Sequence, residues 1–511
     1  MLLRSLHPLS LILSLFLFIL FSITLLQLRR LRLRRNNSTH HGPPTYPLIG
    51  CLISFYANRK SLLHWYTHLL SHSPTNTILV HRLGAPRTII TANPQNVEYI
   101  LKTNFLNFPK GKPFTDILGD FLGHGIFNVD GELWRTQRKL AAHEFTGRSL
   151  REFVIHTLEE EVGQRLLPVM EALCIKQQMV DLQELLARFS LNVICKITLG
   201  VDICCLDPSV PASPLARAFD EASEISARRG TAPLFVIWKV KRWVGAGSER
   251  RLKEAVGEVR RRVMGMIRER KNMRMRKIMN HGREDLLSRL ICQGYEENMI
   301  RDMLISFMMA GRDTTSAALT WFFWLLSQHP EVEEQVVRET QVRVEGELEY
   351  ESLKKLKFLK ACLCESMRLY PPVPWDSKHA IVDDLLPDGT VVKAGDRVTY
   401  FPYGMGRMEA LWGKDRLEFR PDRWFVERDS VQRTMTKVSP FKFPIFQAGP
   451  RVCLGKDMAF IQMKYVAFSI LRRFRIRHIS PDQPLFVPLL TAHMAGGFNV
   501  LICKRKKETD R

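Results

Sequence analysis

The spacing of apolar residues predicts a mainly helical chain with a small amount of sheet. Apolar positions recur at helical spacing from Val97, through Met303–His329 and through Asp457–Phe474. Met303–His329 is apolar almost all round, which is typical of a helix buried through a core. Strand-like runs are short and rich in β-branched or aromatic residues: TILVHRL around Ile78, RTIITAN around Ile89 and RVTYFPY around Thr399. We therefore expect a mainly α fold with small β-sheets.

The N-terminal stretch Leu9–Leu28 is apolar apart from Ser, Thr and Gln, and it is long enough to cross a hydrocarbon core. Arginines crowd directly after it and only Arg4 precedes it, so the positive-inside rule puts the remainder in the cytosol. We predict a single-pass anchor with a basic stop over residues 1–35, a proline-rich hinge over 36–50 and one large domain over 51–511. A cleaved signal peptide is the alternative, although no small-residue cleavage site follows the apolar run.

The charge balance is strongly basic, with 75 Lys and Arg against 52 Asp and Glu, a net +23. Much of the surplus lies in Glu249–Arg283, where basic residues alternate with Val, Met and Ile. This run is either a solvated helix and loop, or a surface attracted to an anionic membrane or an acidic protein partner. It carries no zinc-finger or ribonucleoprotein motif and follows a membrane anchor, so we expect no nucleic-acid partner.

One of the ten cysteines, Cys453, lies within FQAGPRVCLG (Phe446–Gly455). It precedes the C-terminal predicted helix, where free N–H groups and the helix dipole should lower the pKa of its thiol. Gly449 and Gly455 permit tight turns and the close approach of a large planar group, while Arg451 can reach an anionic group beside a bound metal. A single thiolate in such a loop favours a haem iron over zinc. A buried structural cysteine is the alternative.

The long buried helix is interrupted by the polar stretch Gly311–Thr315. Ala310 and Thr314 are four residues apart on one face, so the threonine hydroxyl can bond the Ala310 carbonyl and locally open the helix. Small Ala310 and Gly311 leave room for a flat cofactor and a diatomic ligand, to which Asp313 and Thr314 can pass protons through water. A helix kink stabilised by threonine is the alternative.

Two further pairs have helical spacing. Glu365 and Arg368 in CESMRLYPP can pair, and Arg423 in FRPDRW can close a triad with a scaffold role, although many such pairs are exposed and weak. Trp134 and Arg138 in DGELWRTQRKL can both point at one acidic group, and the alternative is a surface arginine packed on a tryptophan.

In this order along the chain, the four motifs resemble the cytochrome P450 superfamily of haem-thiolate monooxygenases. The resemblance implies the cytochrome P450 fold and makes residues 51–511 the haem-thiolate monooxygenase domain. FPKGKPFTDILGD, AGRDTTSAALTWFFWLLS and PLLTAHMAGG are more specific, because they are similar to the plant fatty-acid ω-hydroxylase clan, family 94.

The resemblance also implies roles for individual residues. Cys453 is expected to be the axial iron ligand of haem b, and Asp313 and Thr314 the catalytic acid–alcohol pair. The implied haem-propionate partners are Trp134, Arg138, His379 and Arg451, and the implied structural triad is Glu365, Arg368 and Arg423.

The activity implied is NADPH- and O2-dependent hydroxylation of the terminal (ω) carbon of an apolar chain. The middle of the sequence is most similar to the branch with jasmonoyl-isoleucine hydroxylases, so we expect a jasmonoyl-amino acid or fatty-acid substrate; oxidation at C-26 of a hydroxycholesterol side chain is the alternative. Expected partners are NADPH–cytochrome P450 reductase and the endoplasmic reticulum membrane, with the catalytic domain in the cytosol. Asp313 and Thr314 argue against two rivals, a hydroperoxide isomerase or dehydratase and a membrane-anchored haem sensor.

Overall fold

The computed structural model describes residues 41–146, 148–203, 206, 211–232, 234–275, 285–343, 348–427, 433–480 and 482–505. The predicted anchor and the first part of the predicted hinge, residues 1–40, lie outside this set. Among the helices it describes, none is both long and apolar enough to cross a membrane. Residues 41–50 of the predicted hinge lie against the sheet, since the Leu79 N–H donates to the His41 carbonyl (3.1 Å) and Gly50 bridges to Arg82.

The described chain is mainly helical, as predicted. The helices are α1 Leu52–Ala57, α2 Leu62–Ser71, α3 Pro94–Glu98, α4 Gly111–Leu122, α5 Gly131–Thr146, α6 Arg148–Glu161, α7 Leu167–Ile175, α8 Leu182–Leu199, α9 Pro214–Thr231, α10 Phe235–Val244, α11 Ser248–Met275, α12 Leu286–Cys292, α13 Glu297–Gln328, α14 Pro330–Arg343, α15 Tyr350–Lys355, α16 Lys357–Leu369, α17 Pro402–Met405, α18 Glu409–Trp412 and α19 Lys456–Leu471. Short π-helical segments, Tyr99–Thr103 and Val162–Leu166, follow α3 and α6.

The strands form small sheets. The largest has the order β1 (Thr77–Val80), β2 (Thr88–Thr91), β7 (Arg397–Tyr400), β4 (Asp376–His379), and only its β2–β7 pair is parallel. A second sheet joins β10 (Phe474–His478), β13 (Asn499–Lys504) and β3 (Val180–Asp181). Two-stranded ribbons are formed by β5 (Asp384–Leu385) with β6 (Val391–Val392), β8 (Phe425–Glu427) with β9 (Arg433–Met435), and β11 (Phe486–Pro488) with β12 (Ala492–Met494). The three strand predictions are confirmed.

The predicted C-terminal helix is wrong at its end. Helix α19 stops at Leu471, and Phe474 begins β10 instead. From Phe474 onward the side chains alternate between buried and exposed, with Phe474 and Ile476 inside and Arg475 and Arg477 outside. Such a period of two suits a half-buried strand, and pairing with β13 satisfies its backbone groups.

Helix α13 runs through both apolar cores of the described structure. Residues Ala317–Leu326 belong to a core shared with the main sheet, α16 and α19, and Ile300–Met308 lie in a second core with α4, α8, α9 and α11. Between them lies the polar stretch that the sequence singled out. The two cores therefore meet at the interruption in α13.

Glu365 is fully buried and is the centre of a charge network. Arg368 donates to both of its carboxylate oxygens, each at 2.8 Å, and Arg423 Nε donates at 2.7 Å. The Trp424 indole (3.0 Å) and the Arg420 backbone N–H (3.0 Å) also donate to it. The expected three-residue contact is thus present, and it ties α16 to the segment around Arg423.

Replacing Glu365 with Ala should lower the free energy of unfolding by about 3–5 kcal/mol, because it leaves the buried Arg368 without its counter-charge and removes one of the two carboxylates that pair with Arg423. Urea unfolding of the domain followed by fluorescence measures this loss. The matched control is Glu351→Ala on α15, whose pair with Lys354 is exposed and should contribute much less to stability. Equal losses in the two variants would contradict the scaffold role of Glu365.

Candidate active site

Cys453 lies in a loop that is closed on itself just before α19. Its N–H donates to the Phe446 carbonyl at 2.8 Å, and short 3-10 turns at Pro444–Phe446 and Gly449–Arg451 shape the path between. Gly449 has φ +64°, and a Cβ there would lie 2.0 Å from the Leu101 carbonyl oxygen. Only glycine satisfies both conditions, so this glycine sets how closely the loop approaches the segment after α3.

The expected lowering of the Cys453 thiol pKa is wrong for the polypeptide by itself. Cys453 is exposed in the described structure, but the protein around it desolvates the sulfur, which raises the pKa of Cys453 and outweighs the lowering by the Gly455 N–H, Arg138 and Lys456. Gly455, the residue before α19, has an ordinary backbone (φ −83°) rather than a left-handed one. A thiolate here therefore needs a stronger source of positive charge than the helix terminus.

The structure brings three of the predicted cofactor-binding residues together beside the cysteine. Arg138 donates to the Val452 carbonyl at 2.5 Å, one residue from Cys453. The Arg451 guanidinium lies over the Trp134 ring, 4.5 Å from its centre. Trp134 and Arg138 thus project from one face of α5 toward the loop, as their spacing predicts.

His379, at the end of β4, joins the same group through intermediate residues. Its Nδ1 donates to the Lys110 carbonyl (2.5 Å), and the Lys110 N–H donates to the Asp130 carboxylate (3.0 Å). Arg451 donates to the same carboxylate at 2.6 Å. Burial lowers the pKa of His379 to about 4, so the isolated protein holds this ring neutral.

Two buried nitrogen atoms of this group have no hydrogen-bond partner among the described residues, His379 Nε2 and Arg451 Nε. Buried polar atoms are nearly always hydrogen-bonded in native proteins, so orphaned ones call for an external partner. With Arg138 nearby, the chemistry offered is that of a receptor for carboxylates.

Helix α13 has one uncovered patch. Between Asp302 and Leu326 every residue is buried except Met309, Ala310, Gly311 and Thr314. The Thr314 hydroxyl donates to the Ala310 carbonyl at 2.6 Å, which confirms the predicted bond. Ala310 and Thr314 therefore present a small, partly accessible surface on an otherwise enclosed helix.

Gly311 does not provide room for a cofactor, contrary to the sequence interpretation. A Cβ on Gly311 would lie 2.5 Å from Cδ1 and 2.7 Å from Cγ1 of Ile194 on α8. The absent side chain lets α8 and α13 pack closely. Ala310, one residue earlier, remains on the uncovered face.

Asp313 is directed into a different place from Thr314. Its carboxylate lies 3.5 Å from Arg312 Nε, and Arg312 in turn pairs with Asp220 at 2.5 Å. Burial raises the pKa of Asp313. It borders a cavity of about 130 Å³ whose other walls include Asp181, Gln183, Glu184, Asp220, Arg312, Ser316 and His493. Thr314 bonds to Ala310 and Asp313 pairs with Arg312, so the two side chains make separate contacts.

The cysteine loop and the uncovered patch border one apolar cluster. Leu454, next to the cysteine, and Met309, in the patch, both pack against the second core. Thr315 and Gln462, 3.5 Å apart, connect α13 to α19. Thiol, threonine and apolar wall therefore belong to one region of the molecule.

Sequence reasoning missed Lys110, Asp130, Asp376 and Gln447, which join the parts of this region. Asp130 reaches Lys110 and Arg451 through contacts that no local spacing indicates. A signal for Asp376 did exist: β4 reads DSKH, and two opposite charges at alternate positions of a strand lie on one face, where they can pair. All four of its positions are buried.

Comparison with known proteins agrees with these features. The family model described as Cytochrome P450 matches residues 41–493. The chain is 56% identical to Cytochrome P450 94B1 of Arabidopsis thaliana over 485 residues, which cover 94% of each chain. It is 45% identical to Cytochrome P450 94A1 of Vicia sativa over 469 residues, 91% of this chain and 90% of the relative. Identity to Cytochrome P450 CYP94D108 of Paris polyphylla is 43% over 437 residues, 84% of this chain and 85% of the relative.

Gly311→Ala should destabilise the domain by about 1 kcal/mol, because overpacking against Ile194 exceeds the gain in helix propensity. Thermal unfolding measures the effect. The control is Gly257→Ala in α11, where a Cβ meets nothing within 4 Å and stability should rise. In a double-mutant cycle, adding Ile194→Ala to Gly311→Ala should cost less than Ile194→Ala costs alone; strict additivity would refute the contact.

Proposed function

The chain belongs to the cytochrome P450 family, and from that premise we propose that it hydroxylates the terminal (ω) carbon of a jasmonoyl-amino acid or a fatty acid. Membership makes the protein a monooxygenase with a haem-thiolate iron, supplied with electrons by a redox partner reductase. Which substrate it accepts, and which residues do the work, are our proposals.

The residues around Cys453 fit a haem. Cys453 is exposed and would supply the thiolate ligand, and a bound metal ion would hold it deprotonated despite the desolvation that raises its pKa. The orphaned Arg451 Nε and His379 Nε2 suit the two propionates. A carboxylate beside His379 would raise its pKa, so that the imidazolium could donate from both nitrogens. When bound, the haem supplies the activation of dioxygen.

The observation that carries the proposal is the uncovered Ala310–Thr314 face at the edge of an apolar cluster. A terminal methyl has stronger C–H bonds than the methylenes beside it, so selectivity requires a wall that presents only the chain end. The residues that support such a wall are Ile117, Phe127, Phe307, Met308, Met309, Leu454 and Leu490.

We assign proton delivery to Thr314 and Asp313. The hydroxyl of Thr314 is held at the uncovered patch by its bond to Ala310, where it can orient a water molecule. The raised pKa of Asp313 keeps its proton available closer to neutral pH, and the polar cavity with Asp220 and His493 connects it to exposed groups.

We favour a jasmonoyl-amino acid or a fatty acid as the substrate because the central motifs resemble the jasmonoyl-isoleucine branch of family 94. The second candidate is oxidation at C-26 of a hydroxycholesterol side chain. The structure is compatible with it, since the wall residues named above are all apolar and would accept the neutral end of a sterol side chain as well as that of an acyl chain.

Helix α10 supports membrane association. It exposes Val236, Ile237, Val240 and Val244, and Trp243 is 89% exposed. Lys239, Lys241 and Arg242 lie among them, which is the composition of a helix resting in a membrane interface. Together with the predicted anchor, this leads us to propose the endoplasmic reticulum membrane, a cytosolic catalytic domain and NADPH–cytochrome P450 reductase as electron donor.

Product identification tests the proposed substrate. Microsomes carrying the protein and a plant reductase receive NADPH with a mid-chain fatty acid, jasmonoyl-isoleucine and a hydroxycholesterol, and products are identified by mass spectrometry. We expect ω-hydroxylated jasmonoyl conjugate or fatty acid, and none with Cys453→Ala. Oxidation of the sterol alone would overturn the preferred substrate in favour of the second candidate.

Thr314→Ala should still consume NADPH but divert it to hydrogen peroxide, with product per NADPH reduced at least about tenfold, because the proton donor at the patch is lost. Peroxide and product are quantified in the same reaction. Thr320→Ala removes an equivalent bond, from Thr320 to the Ser316 carbonyl (2.8 Å), outside the patch and should remain coupled. Full coupling in Thr314→Ala would remove this residue from proton delivery.

A further inference from the structure

Gln447, six residues before Cys453, has a backbone conformation that glycine normally occupies. Its φ is 60° and its ψ is −175°, a region in which a side chain crowds the backbone. The described chain has few non-glycine residues with positive φ: Leu48, Asn76, Gln177 and Gln447. Strain of this kind persists only where the surroundings enforce it, and it concentrates at functional sites.

Relaxing this strain would disturb the cysteine itself. The peptide unit that precedes Gln447 carries the Phe446 carbonyl, which accepts the Cys453 N–H at 2.8 Å. Turning φ of Gln447 to a negative value rotates that carbonyl or displaces the chain after it. Relaxation of the strained conformation would therefore also break the hydrogen bond that closes the loop.

A hydrogen bond from the side chain of Gln447 opposes relaxation of the strained backbone. Its Nε2 donates to Asp376 Oδ2 at 2.6 Å, while its Oε1 is buried with no partner among the described residues. A flipped amide would turn an oxygen toward the carboxylate, which charge repulsion forbids. The glutamine is thus placed to give one hydrogen bond, and Asp376 receives it.

Asp376 is suited to hold that bond because it stays ionised in the interior. Lys110 Nζ (2.5 Å), Lys378 Nζ (2.8 Å) and the Tyr400 hydroxyl (3.1 Å) also donate to it. Burial would raise the pKa of Asp376, but Lys110 and Lys378 together hold it well below its usual range. Hydrogen bonds to an ionised acceptor are about twice as strong as neutral ones.

We propose that the hydrogen bond from Gln447 to Asp376 holds the cysteine loop in the shape that presents the thiolate, so that Gln447 is a positioning residue for the iron ligand. The inference rests on the proposed role of Cys453. It also links the thiolate to the opposite side of the site, because Asp376 and Lys378 lie on β4 with His379, and Lys110 accepts from that histidine.

Three variants of the full-length holoenzyme test whether the Gln447–Asp376 hydrogen bond holds the cysteine loop or whether the side chain of Gln447 only fills space. Gln447→Ala loses the hydrogen bond but keeps the strain, while Gln447→Gly loses the bond and the strain together. The readout is the absorbance band that the ferrous carbon-monoxide complex owes to thiolate ligation, and the rate at which this band is lost. We expect loss about tenfold faster in Gln447→Ala than in the parent, and a rate close to the parent in Gln447→Gly. Cys453→Ala should lack the band from the start.

The matched control is Gln177, another glutamine with positive φ (50°), exposed and in the turn after α7. Gln177→Ala and Gln177→Gly should leave the band and its lifetime unchanged. The proposed role of the Gln447–Asp376 hydrogen bond would be overturned if the band lasted as long in Gln447→Ala as in the parent, or if it were lost as fast in Gln447→Gly as in Gln447→Ala. A thiolate band in Cys453→Ala would instead overturn the proposed ligand, so the two failures can be told apart.

Discussion

A carboxylate removed from water has to be surrounded by donors, and this constraint shapes everything around Cys453. Asp376 accepts hydrogen bonds from Lys110, Lys378, Tyr400 and Gln447, which come from four separate parts of the chain. Leaving such a charge unpaired in the interior would be strongly destabilising. The charge therefore forces β4, β7, the start of α4 and the cysteine loop into one arrangement.

Asp130 and Glu365 apply the same constraint elsewhere. Asp130 joins the backbone at Lys110 and Gly111 to Arg451, and so aligns the two sides of the candidate propionate site. Glu365 binds α16 to the segment that carries Arg423. Interior ion pairs add little net stability compared with apolar packing, but they specify which arrangement is reached. A site that must hold a planar cofactor within tight limits benefits from that specificity.

Helix α13 adds the second half of the site by being incompletely packed at one place. Its two ends are enclosed by different apolar cores, and the face with Ala310 and Thr314 lies between them. Side chains within this short stretch of α13 point in different directions and make different contacts. Gly311 faces Ile194 and lets α8 approach, Thr314 bonds to Ala310 on the uncovered face, and Asp313 turns to a polar cavity. One helical turn of α13 therefore contains a packing contact to α8, the uncovered face and a side chain that borders the polar cavity.

Features that depend on neighbours along the chain could be predicted from the sequence. Periodicity located β1, β2 and β7 and the helices α13 and α19, and spacings of three or four residues predicted the Glu365–Arg368 and Thr314–Ala310 contacts, because helix geometry brings such pairs together. The folded structure, and not the sequence pattern, showed that α19 ends before Phe474, that Gly311 serves helix packing, that desolvation raises the pKa of Cys453 and that Asp376 holds Gln447. Each of these depends on groups distant in sequence, whose approach and whose exclusion of water arise only when the chain is folded.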